Sequence, residues 1–177
     1  GAEQVGSFFR FRFPDGAPAS FDLGGRVLQV FPIPGHQDAH IAIYDPASNA
    51  LFTGDFLYPG RLYVNHCPLQ FAASARRLAA FVRALPLAQQ RTLKVLGCHI
   101  EMSSSPGVQY STGTLYQPDE SKYCLSARHV FELAELATVH LTAKTFTEKT
   151  LVSSSGEFVV VGPHSVVNAP PAAASSP

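Results

Sequence analysis

The sequence predicts an α/β fold. Three observations point to it: short apolar runs that alternate or stop at turn residues, two longer segments with apolar residues at helical spacing, and Gly/Pro/Asp breaks between them. Phe9, Phe11 and Phe13 alternate with Arg10 and Arg12, the period of a strand with one buried and one wet face, and Pro14-Asp15-Gly16 ends it. A second strand is expected over Val27 to Ile33, stopping at Pro34-Gly35. Two further runs, Ile41 to Tyr44 and Leu51 to Thr53, flank the turn Asp45-Pro46-Ala47-Ser48-Asn49 and read as a β-hairpin. From Gln70 to Leu85 the residues Phe71, Leu78, Phe81, Val82 and Leu85 recur as one face of an amphipathic helix that Pro86 closes. Thr92 to Leu96 reads as a strand. A polar stretch rich in Ser, Gly and Pro follows from Ser103 to Lys122, long for a loop in a compact domain.

Ser126 is the expected N-cap of a second helix through His140, with Val130, Leu133, Ala134, Ala137 and Leu141 on its inner stripe and Glu132 and Glu135 facing water. His129 and His140 on this helix are expected at the surface. Lys144 to Val152 and Glu157 to Val161, joined by Ser153-Ser154-Ser155-Gly156, read as a terminal hairpin. Residues 1–164 thus form one domain, and residues 165–177 a flexible Pro/Ala/Ser-rich tail.

Composition narrows the function. The 177 residues are 46% hydrophobic, enough apolar surface for a real core. Lys plus Arg and Asp plus Glu both number 13, and no basic stripe interleaves with aromatic residues, so nucleic acid is not an expected partner. No apolar run approaches the ~20 residues that span a bilayer, so a soluble chain with no membrane partner is expected. The three cysteines form no C-x-x-C pair, and Cys98 is expected to be a small buried side chain. Serine-hydrolase elbows, Walker loops and dinucleotide-binding glycine motifs are absent from the sequence.

What remains is a metal-binding pattern. Pro34-Gly35-His36, Gly54-Asp55 and Gly97-Cys98-His99 each follow an apolar run, so each presents a potential ligand at a strand end. Zinc takes imidazole nitrogen and carboxylate oxygen and, in hydrolytic sites, keeps a position open for water. Glycine beside each candidate permits tight turns at the sheet edge.

The run Pro34-Gly35-His36-Gln37-Asp38-Ala39-His40-Ile41-Ala42-Ile43-Tyr44-Asp45, then Leu51-Phe52-Thr53-Gly54-Asp55, resembles the second half of the metallo-β-lactamase superfamily in order and spacing. The likeness extends from about Gly25 to Met102. The His-x-His-x-Asp-His cluster of the superfamily's first half is absent from this sequence. The resemblance implies half of an αββα sandwich, with a mixed β-sheet and helices on one face. It also implies zinc or another divalent metal, held by His36 on a first metal and His99 on a second, with Asp55 as the bridging catalytic carboxylate. His40 is read as a hydrogen-bonding residue behind the ligands, and Asp38 as a loop cap or an orienter of His36. Two tightly held metals are not expected in this chain alone.

The function implied is metal-dependent hydrolysis of a small-molecule substrate, with metal-bound hydroxide attacking an ester, thioester, lactone or related bond. The alternative is a non-catalytic half-domain serving in oligomerisation or binding. A homo-oligomer is expected on either reading, because the inner strand faces of the half-fold need cover.

Overall fold

Short apolar runs in Val27–Pro32, Ile41–Asp45 and Ala50–Gly54 drive these segments into adjacent strands, and the rest of the chain is arranged around them. The computed structural model describes residue 13 and residues 16–64, 67–98, 124–141, 150–156 and 158–162. In chain order the elements are β1 (Ala19–Asp22), β2 (Val27–Pro32), β3 (Ile41–Asp45), β4 (Ala50–Gly54), β5 (Gly60–Tyr63), α1 (Pro68–Ala84), α2 (Leu87–Thr92), β6 (Lys94–Gly97), α3 (Ala127–His140), β7 (Thr150–Val152) and β8 (Phe158–Val161). A five-stranded sheet runs β1-β2-β3-β4-β6, and a three-stranded sheet runs β5-β8-β7. Both are mixed: β4 and β6 are parallel, as are β5 and β8, and the other pairs are antiparallel. The α/β architecture is the expected one.

Register decides what each face buries. Phe31 and Ala42 pair, as do Tyr44 and Leu51 and then Leu51 and Val95, and all five side chains are buried. This face receives α1, whose Phe81 ring lies 4.5 Å from that of Phe31 and 5.0 Å from that of Tyr44. Phe71, Leu78 and Val82 of α1 are fully buried, each contributing roughly 1.5–3 kcal/mol by leaving water. On the opposite face Val30 pairs with Ile43, and Ile43 with Phe52. Val30 is buried, but Phe52 is 43% exposed. Helix α3 packs against α1, with Val130, Leu133, Ala134 and Ala137 buried as expected. Among the described residues no helix is long and apolar enough to cross a membrane.

Several local expectations are corrected. β1, β5 and α2 lack the apolar periodicity that would reveal them: β1 and β5 are four residues each, and α2 has no buried residue. His129 is 7% exposed rather than on the surface, because it completes a capping box: its Nδ1 accepts the Ser126 backbone N–H at 3.0 Å. Glu132 does not face water. It accepts the Ser155 hydroxyl at 2.7 Å, tying α3 to the β7–β8 turn. The strand expected over residues 9–13, the long polar loop and the tail lie outside the described residues, apart from Phe13.

Asp45 is the principal buried charge. It ends β3 with 1% exposure, pairs with Arg26, and accepts the Ser48 hydroxyl and, at 3.2 Å, the Ala47 N–H. The Arg26 and Ser48 hydrogen bonds hold its carboxyl far below the usual carboxylate range. A depressed folded-state pKa gives stability that is present above the unfolded value near ~3.9 and is lost as pH falls through the folded one. Asp45→Asn should therefore lower the melting temperature at pH 7 and flatten its decline below about pH 4. Thermal melts from pH 7 to pH 2 measure both effects, and parallel curves for the two proteins would contradict the assignment.

Candidate metal centre

The sheet topology brings the expected ligand segments to one edge. β3 is antiparallel to both β2 and β4, so β2 and β4 run the same way, and β6 runs parallel to β4. The segments leaving the C-terminal ends of β2, β4 and β6 are those that carry His36, Asp55 and Gly97-Cys98.

The His36 loop is fixed by α1. Arg77 Nη1 donates to the Pro32 carbonyl at 2.6 Å, Ser74 Oγ to the Pro34 carbonyl at 2.8 Å, and the Cys67 N–H to the Gly35 carbonyl at 3.4 Å. The loop closes on itself through the Ile33 N–H to the His40 carbonyl at 2.8 Å. This close docking requires glycine: Gly35 has φ 134°, and a Cβ there would lie 2.4 Å from the Phe71 Cα.

Across the edge, β4 and β6 are drawn equally close. A Cβ on Gly97 would sit 2.3 Å from Tyr58 Cβ and 3.0 Å from the Gly54 carbonyl oxygen, so Gly97 is there for approach rather than for backbone freedom. The Cys98 N–H donates to the Gly54 carbonyl at 3.0 Å. The Cys98 side chain is exposed, correcting the buried role expected for it. Thr53, fully buried, donates its hydroxyl to the Leu57 carbonyl at 2.5 Å and so holds the turn after β4.

His36 Nε2 lies 3.6 Å from Asp55 Oδ2. That distance is too long for a hydrogen bond between them. Two donors on one tetrahedral zinc at ~2.1 Å are about 3.4 Å apart, which this spacing fits. The tautomer fits as well. His36 Nδ1 lies 2.7 Å from the Tyr63 carbonyl, which can only accept, so Nδ1 carries a proton and Nε2 is the nitrogen turned toward Asp55. The His36 side chain is 12% exposed and that of Asp55 35%, so the pair opens to solvent on the carboxylate side.

His40 sits behind the pair. Its ring centroid is 5.6 Å from that of His36 and 6.2 Å from that of Phe56, T-shaped in both pairs. Burial first, and then the neighbouring His36, lower its pKa; Asp55 and the Thr53 main chain oppose this. Its Nδ1 is buried with no hydrogen-bond partner among the described residues. Asp38 is exposed and makes no hydrogen bond to His36; the loop is closed by main-chain bonds to the Gln37 carbonyl instead.

Of the expected ligands the structure thus brings His36 and Asp55 together, while His99 lies outside the described residues. Among the described residues no group of three His, Cys, Asp or Glu side chains could hold a metal ion. Tyr63, Ser74 and Phe56 were not legible as site residues. Tyr63 acts through its main-chain carbonyl, and no residue type announces that role.

Comparison with known proteins identifies the family. The family model described as the metallo-beta-lactamase superfamily matches residues 7–98, and the chain belongs to that superfamily. Over 63 residues the chain is 43% identical to a hydroxyacylglutathione hydrolase of Ruegeria pomeroyi, covering 34% of this chain and 24% of that protein. Among solved structures, an archaeal metallo-beta-lactamase superfamily protein from Sulfolobus tokodaii aligns with 81% of this chain and 44% of its own, at 17% identity and a TM-score of 0.39. ETHE1 from Myxococcus xanthus aligns with 67% of this chain and 44% of its own, at 19% identity and a TM-score of 0.40. The chain spans about a quarter of the curated relative and under half of either structure.

Proposed function

We propose that this chain carries the strand-end half of a metal-dependent hydrolase site, and that the bond cleaved is a thioester or a closely related acyl bond. The observation that carries the reading is the His36 Nε2 to Asp55 Oδ2 spacing of 3.6 Å, with the other His36 nitrogen committed to Tyr63. Superfamily membership supports hydrolysis, and the matched segment of the hydroxyacylglutathione hydrolase, whose name denotes an acyl group on glutathione, supports a thioester.

Zinc or another divalent cation, held by His36 and Asp55 with His99 as the expected further ligand, would acidify water and polarise the substrate carbonyl. The chain's own residues prepare that site. The Tyr63 carbonyl holds His36 through Nδ1, so Nε2 is the nitrogen left facing Asp55 for an ion. Asp55 contributes the negative charge and, being the more exposed of the two, leaves the approach for substrate on its side. Phe56, fully buried, and His40 close the rear of the site against water.

The test is hydrolysis of an S-acyl glutathione followed by absorbance, with zinc, manganese or iron(II) added. Turnover that requires the metal, disappears on chelation, and falls at least ~100-fold in Asp55→Asn is expected. No metal-dependent turnover, or turnover untouched by Asp55→Asn, would contradict the proposal.

A further inference from the structure

The imidazole of His40 touches both segments that carry the metal donors. Its ring packs against that of His36 at a centroid distance of 5.6 Å and an interplanar angle of 66°. Its tip abuts Gly54, the residue before Asp55: a Cβ on Gly54 would lie 2.6 Å from His40 Nε2, against 3.6 Å from Cε1 and 3.7 Å from Cδ2. The ring therefore meets this turn end-on. Gly54 has φ 55°, so the backbone turns sharply here, and a side chain at this position would collide with the ring.

His40 is itself immobilised. Its carbonyl accepts the Ile33 N–H at 2.8 Å, its N–H donates to the Gln37 carbonyl at 3.3 Å, and its ring packs T-shaped with Phe56. Phe56 in turn stacks on Phe71 of α1 at 4.2 Å. A continuous column of rings runs from α1 through Phe71, Phe56 and His40 to His36. Helix α1 also holds the His36 loop through Ser74 and Arg77, so the loop and the column share one rigid support.

We infer that His40 is a positioning residue, a spacer wedged between the His36 loop and the Gly54-Asp55 turn that sets the separation of the two donors. It does not contact the ion. The inference rests on the proposed metal site, since a spacer matters only if His36 and Asp55 act on a common ligand. A wedge of this kind need not change chemistry at the donors to matter. Groups that orient metal ligands typically change metal affinity 10–100-fold when removed.

The experiment is zinc titration of the full chain against a competing chromophoric chelator, with folding checked by circular dichroism. His40→Ala is expected to weaken zinc binding 10–100-fold while the metal-free protein remains folded at the titration temperature. Should that variant not fold, His40→Gln, which keeps the length but not the flat ring edge, is expected to lose about tenfold. His36→Ala separates the two levels of the argument. If it abolishes binding while the folded His40 variant stays within about twofold of the unsubstituted chain, the spacer role is overturned and the metal site stands. If the unsubstituted chain takes up no zinc, or His36→Ala binds it equally well, the metal reading fails and the inference falls with it.

Discussion

Gly35→Ala should be among the most destabilising single substitutions in this protein, costing about 3–5 kcal/mol. Two penalties coincide at this residue. Its φ of 134° lies in a region that residues with a Cβ rarely adopt, and the added atom would lie 2.4 Å from the Phe71 Cα and 2.5 Å from its backbone nitrogen. The obstacle is helix backbone, so no rotamer change relieves it. The loop would have to lift from α1, breaking the Cys67 N–H bond to the Gly35 carbonyl and straining the Ser74 bond to Pro34. In a chain of this length each kcal/mol shifts the melting temperature by roughly 2–4 °C, so a fall of about 6–20 °C is expected by calorimetry. A shift below about 2 °C would show that the loop is not docked as described.

His36→Ala should have the largest functional effect, reducing zinc affinity on the order of 100-fold or more with little change in fold. The side chain makes its hydrogen bond to a main-chain carbonyl at the end of β5 and is 12% exposed, so its loss opens a small gap at the sheet edge and not in the core. Asp55→Ala should behave alike, while His140→Ala, at the exposed end of α3, should leave affinity unchanged. Competition titration distinguishes the three. Equal affinities for His36→Ala and His140→Ala would mean that zinc binds elsewhere.

Much of this was legible because it rests on local chemistry. The β3–β4 hairpin was visible as two apolar runs around a Pro/Ser/Asn turn, α1 as a helical stripe ended by Pro86, and α3 as an N-cap followed by a buried face. That His36 and Asp55 follow strand ends was legible from their contexts. The parallel course of β2, β4 and β6 was not, because periodicity reports that a strand exists but carries no information about its direction.

The misreadings have a common cause. His129 was expected at the surface, yet its ring serves the Ser126 N–H where a capping box more often uses Glu or Gln. Asp45 looked like a turn former and is one, through Ala47 and Ser48, but it is also the buried partner of an arginine 19 positions earlier. The reason for Gly97, likewise, lies in Tyr58 and Gly54, neither of them adjacent in sequence. In each case the deciding partner is set by tertiary packing. The three bonds from α1 and Cys67 to Pro32, Pro34 and Gly35 are of the same kind.

Structure determination of the zinc-soaked chain, with anomalous diffraction collected at the zinc edge, tests the central claim most directly. The account predicts one ion within about 2.0–2.2 Å of both His36 Nε2 and Asp55 Oδ2, with His36 Nδ1 still on the Tyr63 carbonyl. An ion bound through Nδ1, or anomalous density only at sites remote from this pair, would contradict it.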